Sequence, residues 1–141
     1  MSYSALEEPD KALHLWRYTP WHRIHPSGKI SEIPDASGMR IELTSLDEST
    51  EPAGVSLHVA TSEDLERLCI NGKEDVSTQF LQALSEGNAV VLRVARKAKP
   101  SQPVLLNIES SGDVSALHLL IDIGELAELE LVTRITGNAL W

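Results

Sequence analysis

The feature that most constrains this chain is a change of hydrophobic period at residue 89. Before it, at 61–88, apolar residues recur at helical spacing; after it they follow the two-residue period of strands. Ala89–Val94, Pro103–Ile108, Leu117–Ile123 and Ala127–Ile135 each read as a strand. Leu117, Leu119, Ile121 and Ile123 fall on one face of the third. In the fourth, the odd positions from Ala127 to Ile135 are mostly aliphatic and the even ones mostly charged. The connections Ser110-Ser111-Gly112-Asp113 and Gly124-Glu125 carry turn residues. No helix-length segment separates the strands, which excludes a βαβ sheet and leaves a sandwich, a barrel or a coiled solenoid.

The first sixty residues hold most of the punctuation: Pro9, Pro20, Pro26, Pro34 and Pro52, with Gly28, Gly38 and Gly54. Proline removes a donor and fixes φ, so only short extended pieces fit between these positions. Met39–Leu43 and Val55–Val59 alternate apolar and polar and are expected to be such pieces. Asp47–Pro52 between them reads as an exposed acidic loop. Thr61-Ser62-Glu63-Asp64 fits a capping box, placing a hydroxyl at the N-cap and a carboxylate three residues on. Leu65 and Leu68 then share one side of a short helix ended by Asn71-Gly72. A second helix is expected from about Asp75, with Phe80, Leu81 and Leu84 on one stripe and Glu86-Gly87-Asn88 closing it. The resulting division is 1–88, a mixed segment with two short helices, and 89–141, a β core.

Composition excludes several classes. The 141 residues are 42% apolar and 23% charged, enough for a packed core. Acidic residues outnumber basic ones 21 to 12, for a formal charge of -9. That balance argues against a main role in gripping nucleic acid or an anionic membrane. A lone cysteine, Cys69, forms no intramolecular disulfide. Neither a basic-then-apolar start nor a long uncharged apolar run is present, so the expected setting is a reducing cytoplasm.

Each chemistry-bearing constellation has a plainer reading. His14, His22 and His25 lie near Trp16, Tyr18 and Trp21. Imidazoles suit zinc and iron, but ligands usually come at close regular spacing with thiols helping, and none is near. An aromatic-rich packing segment is the preferred reading. Cys69 sits toward the C-terminal end of its helix, where the dipole disfavours a thiolate, and reads as a small buried hydrophobe. His118 and Asp122 share a strand face, yet no nucleophile elbow accompanies them, so outward-facing polar residues explain them. Arg93, Arg96, Lys97 and Lys99, before Pro100, make the main basic cluster. Without stacking aromatics or a glycine-rich phosphate loop, it reads as solvated. Glu128 and Glu130 alternate with leucines as an outer strand face. No catalytic, cofactor or metal residue is therefore assigned.

Three stretches together resemble the SufB/SufD family of iron–sulfur cluster assembly proteins, SufD more than SufB. Trp16-Arg17-Tyr18-Thr19-Pro20 is similar to a W-[KR]-Y-T-P signature near the SufD N-terminus. Phe80–Leu84 followed by Glu86–Val94 is similar to the family's passage from an amphipathic helix through an acidic-Gly turn into the first core strand. Leu119–Val132 resembles a coil in which an aliphatic strand, a Gly-Glu turn and a second aliphatic strand repeat. One departure is Ala95–Pro100, where SufD members often have a basic-Gly loop. The resemblance spans nearly the whole chain but only the N-terminal part of a family member. It implies a mixed α+β fold in which an irregular, short-helix segment leads into the first coils of a right-handed parallel β-helix, a β-solenoid. It also implies a non-catalytic scaffold role beside SufB-like and SufC-like proteins. The family's SufC-docking helices and its cysteine and histidine assembly residues lie in the C-terminal half, so none transfers here.

Gly137-Asn138-Ala139-Leu140-Trp141 follows directly on strand-like residues, so the chain is expected to stop before its solenoid does. Such a cut would expose strand edges, and homodimerisation through an exposed β-edge is the corresponding expectation. A stand-alone adaptor binding SufB or SufC is the alternative function. A small cupin-like metal-binding β-barrel is a more distant one, because His58 and His118 stand alone and no H-x-H occurs.

Overall fold

Continuous apolar runs and alternating ones bury differently, and that difference organises the fold. In the computed structural model, which describes residues 23, 29, 38–68, 88–112 and 115–137, two runs become central strands. They are β3 (Ala89–Val94) and β4 (Val104–Ser110). Both faces of a central strand are covered, so an aliphatic run suits it better than alternation. Val91, Leu92, Val94, Val104, Leu105 and Leu106 are fully buried, and with Val90 and Ile108 they make most of the core.

The alternating segments take the flanks. β1 (Met39–Ser45) pairs antiparallel with β4, from Met39 opposite Ser110 to Ser45 opposite Val104. β2 (Val55–Val59) pairs antiparallel with β3, Leu57 opposite Leu92. β5 (His118–Ile123) lies parallel to β3 on its other side, and β6 (Leu131–Gly137) parallel to β4. The result is two three-stranded sheets, ordered β1-β4-β6 and β2-β3-β5, each with one antiparallel and one parallel pair.

This architecture corrects the expected α+β fold opening into a right-handed parallel β-helix. The structure is mostly β, and both sheets are mixed. The reason lies in β1 and β2. Their alternation is strong enough to make full-length strands, and these run against β4 and β3 instead of serving as an irregular lead-in. Residues on both sides of position 88 therefore share each sheet.

Helix α1 (Ser62–Leu68) starts as its sequence requires. The Asp64 amide donates to Thr61 Oγ1 at 3.2 Å, and the Thr61 amide donates to Asp64 Oδ2 at 3.0 Å, completing the reciprocal cap. The second expected helix, the Asn71-Gly72 terminator and the Trp16–Pro20 stretch lie outside the described residues. The acidic loop after β1 is tied down by Asp47, whose carboxylate accepts from Ser45 Oγ, from the Ser49 amide and hydroxyl, and from Gln102 Nε2. Those donors, the Ser45 hydroxyl foremost, hold its carboxyl far below the usual range.

Two turns join the sheets and stack on each other. The β3–β4 turn and the β5–β6 turn share four backbone hydrogen bonds: Gly124 N to Val94 O at 2.9 Å, Lys97 N to Glu125 O at 3.0 Å, Glu128 N to Ala98 O at 3.0 Å and Val104 N to Glu130 O at 2.8 Å. Gly124 permits this approach, since a Cβ there would lie 2.6 Å from the Arg96 nitrogen and 2.8 Å from its Cα. Lys97 and Leu126, at φ of 62° and 60°, take the same left-handed step at corresponding positions of the two turns. Residues 127–130 thus belong to the stacked turn, and β6 begins at Leu131, four residues later than the alternation suggests.

Candidate functional site

The densest group of ionisable side chains among the described residues lies where α1 meets the β2-β3-β5 sheet. Strand alternation puts His58, Arg93 and Asp122 on one sheet face, because Val91 stands opposite His58 and Arg93 opposite Asp122. The first turn of α1 brings Asp64 to that face and the next brings Arg67.

Two arginines bind two aspartates crosswise. Arg93 donates from Nε to Asp122 Oδ2 at 3.0 Å and from an η nitrogen to Asp64 Oδ1 at 2.9 Å. Arg67 donates to Asp122 Oδ2 at 2.7 Å and lies 4.0 Å from Asp64 Oδ1. His58 Nε2 is 3.5 Å from Asp64 Oδ2. Asp64 is buried, and its carboxyl is held down at about 2, chiefly by the Thr61 amide and hydroxyl, with His58 and Arg93 adding and burial opposing. Asp122 is lowered too, by the hydrogen bond from Arg67 first and then by Arg93. The Arg67 guanidinium is correspondingly raised by Asp122.

A carboxylate so stabilised neither takes nor gives a proton near neutrality, so this arrangement is poorly suited to general acid–base chemistry. It is well suited to clamping a short helix. A seven-residue helix is marginal alone, and this cluster fastens it to two strands. Asp122 accordingly belongs with Arg67 and Arg93 rather than forming a catalytic pair with His118. His118 opens β5 on the same face, half-buried, its amide donating to Asn88 O at 3.3 Å.

The basic cluster resolves into separate pairs. Arg93 joins the clamp, Arg96 meets Glu125 at 2.9 Å, and Lys99 bonds Glu128. Lys97 contributes the left-handed turn. Glu128, expected on a strand face, is the turn's acidic answer to Lys99. Two members of the clamp, Asp64 and Arg67, were not legible as such. The capping box explains Asp64 locally, and nothing local announces its second partner 29 residues on.

His14, His22, His25, Trp16, Tyr18, Trp21 and Cys69 lie outside the described residues. Among the described ones, no group of three or more His, Cys, Asp or Glu side chains is placed to hold a metal ion. Nor is any described helix long and apolar enough to cross a membrane. No family model matches the chain, and neither a curated protein nor a solved structure is detectably similar to it.

Proposed function

We propose that the chain is a non-catalytic, SufD-like scaffold portion of a SUF-type iron–sulfur cluster assembly machinery. It acts in the cytoplasm beside SufB-like and SufC-like proteins. The reading is carried by one observation, the three stretches Trp16–Pro20, Phe80–Val94 and Leu119–Val132 in one chain and in the family's order. It rests on those residues and not on architecture, because the β-helix that goes with the resemblance is not the fold that forms. A scaffold role also agrees with the clamp, whose arginine-bound carboxylates serve attachment.

The test is reconstitution from purified components. The chain is mixed with the SufB-like and SufC-like proteins of its own source, and the mixture is resolved by size-exclusion chromatography with light scattering. A complex of defined stoichiometry with either protein is the expected result. Elution of every component at its separate mass would remove the assignment.

A further inference from the structure

The outer flank of β5 and β6 is built like a surface that has already been used once. Segment 118–137 stacks on segment 89–110 as one strand–turn–strand unit on another, strand beside strand and turn on turn. The first turn is basic and the second acidic, and they meet through Arg96–Glu125 and Lys99–Glu128. On the far side no described strand flanks β5 or β6. Ile121, Ile123 and Ile135 are about half exposed there, at 46%, 51% and 52%. Glu125 and Glu128 remain about two-thirds exposed beside them. Unpaired edges with aliphatic side chains invite strand addition.

We propose that this flank docks a strand–turn–strand unit of a partner chain, with aliphatic strands and lysine or arginine in its turn. The inference deepens the scaffold reading and rests on it for the existence of a partner. Charge chooses the occupant. A basic turn would meet Glu125 and Glu128 as Arg96 and Lys99 do from the other side. A second copy paired edge to edge across a two-fold axis would run antiparallel. Its turns would then lie at the far ends of β5 and β6 and bring no basic group to Glu125 and Glu128. Its own basic turn is already covered by its own acidic one.

A synthetic peptide with the sequence of residues 89–110 supplies the stated chemistry, and a version carrying Arg96→Glu and Lys99→Glu reverses it. Labelled peptide is titrated into the full chain by fluorescence anisotropy, and hydrogen exchange is followed with and without it. The native-sequence peptide is expected to bind and to slow exchange of the β5 and β6 amides. Glu125→Lys with Glu128→Lys is expected to weaken binding about tenfold, on the scale of two exposed pairs made repulsive. Ile121→Lys, which leaves both turns intact, is expected to weaken it as well. Equal binding of the two peptides, unchanged exchange in β5 and β6, or a dimer by sedimentation with both strands already protected would each overturn the proposal. Binding here together with failed reconstitution removes only the iron–sulfur assignment, and the converse pair of results removes only the docking flank.

Discussion

Segments 89–110 and 118–137 are the same device used twice, and they differ mainly in what surrounds them. Each is an aliphatic strand, a tight turn with one left-handed residue, and a second strand in the other sheet. In the first, Leu92 and Leu106 are fully buried, while their parallel partners Ile121 and Thr133 in the second are exposed. Hydrophobic pattern thus specifies which side chains share a face, and the number of neighbouring strands decides whether that face is dry. Burial is a property of the sheet order, not of the strand.

The largest expected effect separates the two units directly. Leu92→Ala is expected to cost about 2–5 kcal/mol, the range for truncating a buried leucine. Ile121→Ala, directly beside it in register, should cost under about 1 kcal/mol because its side chain already meets solvent. Urea denaturation of both variants checks this, and equal costs would mean that β5 is covered as β3 is.

The contact between the units is probed next. Gly124→Ala places a methyl against the Arg96 backbone and is expected to destabilise by about 1–3 kcal/mol, as overpacking does. Gly38→Ala is the control, because a Cβ there meets nothing within 4 Å. A neutral Gly124→Ala would show that the turns stack less closely than their hydrogen bonds require. Below this in size comes the cap. Thr61→Ala removes the hydroxyl that accepts from the Asp64 amide, for about 0.5–2 kcal/mol. Far-ultraviolet circular dichroism should show helix loss before strand loss on heating.

These expectations also mark how far the sequence could be read. Val55–Val59 and Ala89–Val94 emerge with their expected bounds, and Thr61 caps α1 reciprocally, because strand alternation and capping are local physics. Sheet order was not legible. Nothing within Met39–Ser45 says that it will lie antiparallel to a strand some sixty residues away, and that pairing replaces the expected solenoid with two mixed sheets. The clamp was hidden for the same reason. Arg93 looked like the first member of a basic loop, since its carboxylate partners come from residues 64 and 122. Arg93–Asp122 shares its 29-residue spacing with the turn pairs Arg96–Glu125 and Lys99–Glu128, a spacing that only the parallel stacking makes meaningful. Asp64, by contrast, joins from α1, outside both stacked segments.

The smallest expected effect concerns acid, and it distinguishes the clamped side of β5 from its open one. Asp64 binds protons more weakly folded than unfolded, with its carboxyl at about 2 against an ordinary 3.8. Between those values the unfolded chain holds more protons, so stability rises with pH and is lost as pH falls through the window. Asp122 and Asp47 shift in the same direction and steepen the loss. Asp64→Asn removes one titration, so the stability gap between wild type and variant should be widest near pH 6 and narrow toward pH 2. Urea midpoints at intervals across that range measure it. Asp122→Asn should narrow the gap similarly, since it frees Arg67 and Arg93 from the same strand whose opposite face carries Ile121 and Ile123. A gap independent of pH would mean that α1 is held by packing alone, and that the arginines merely shield a face which the helix covers without them.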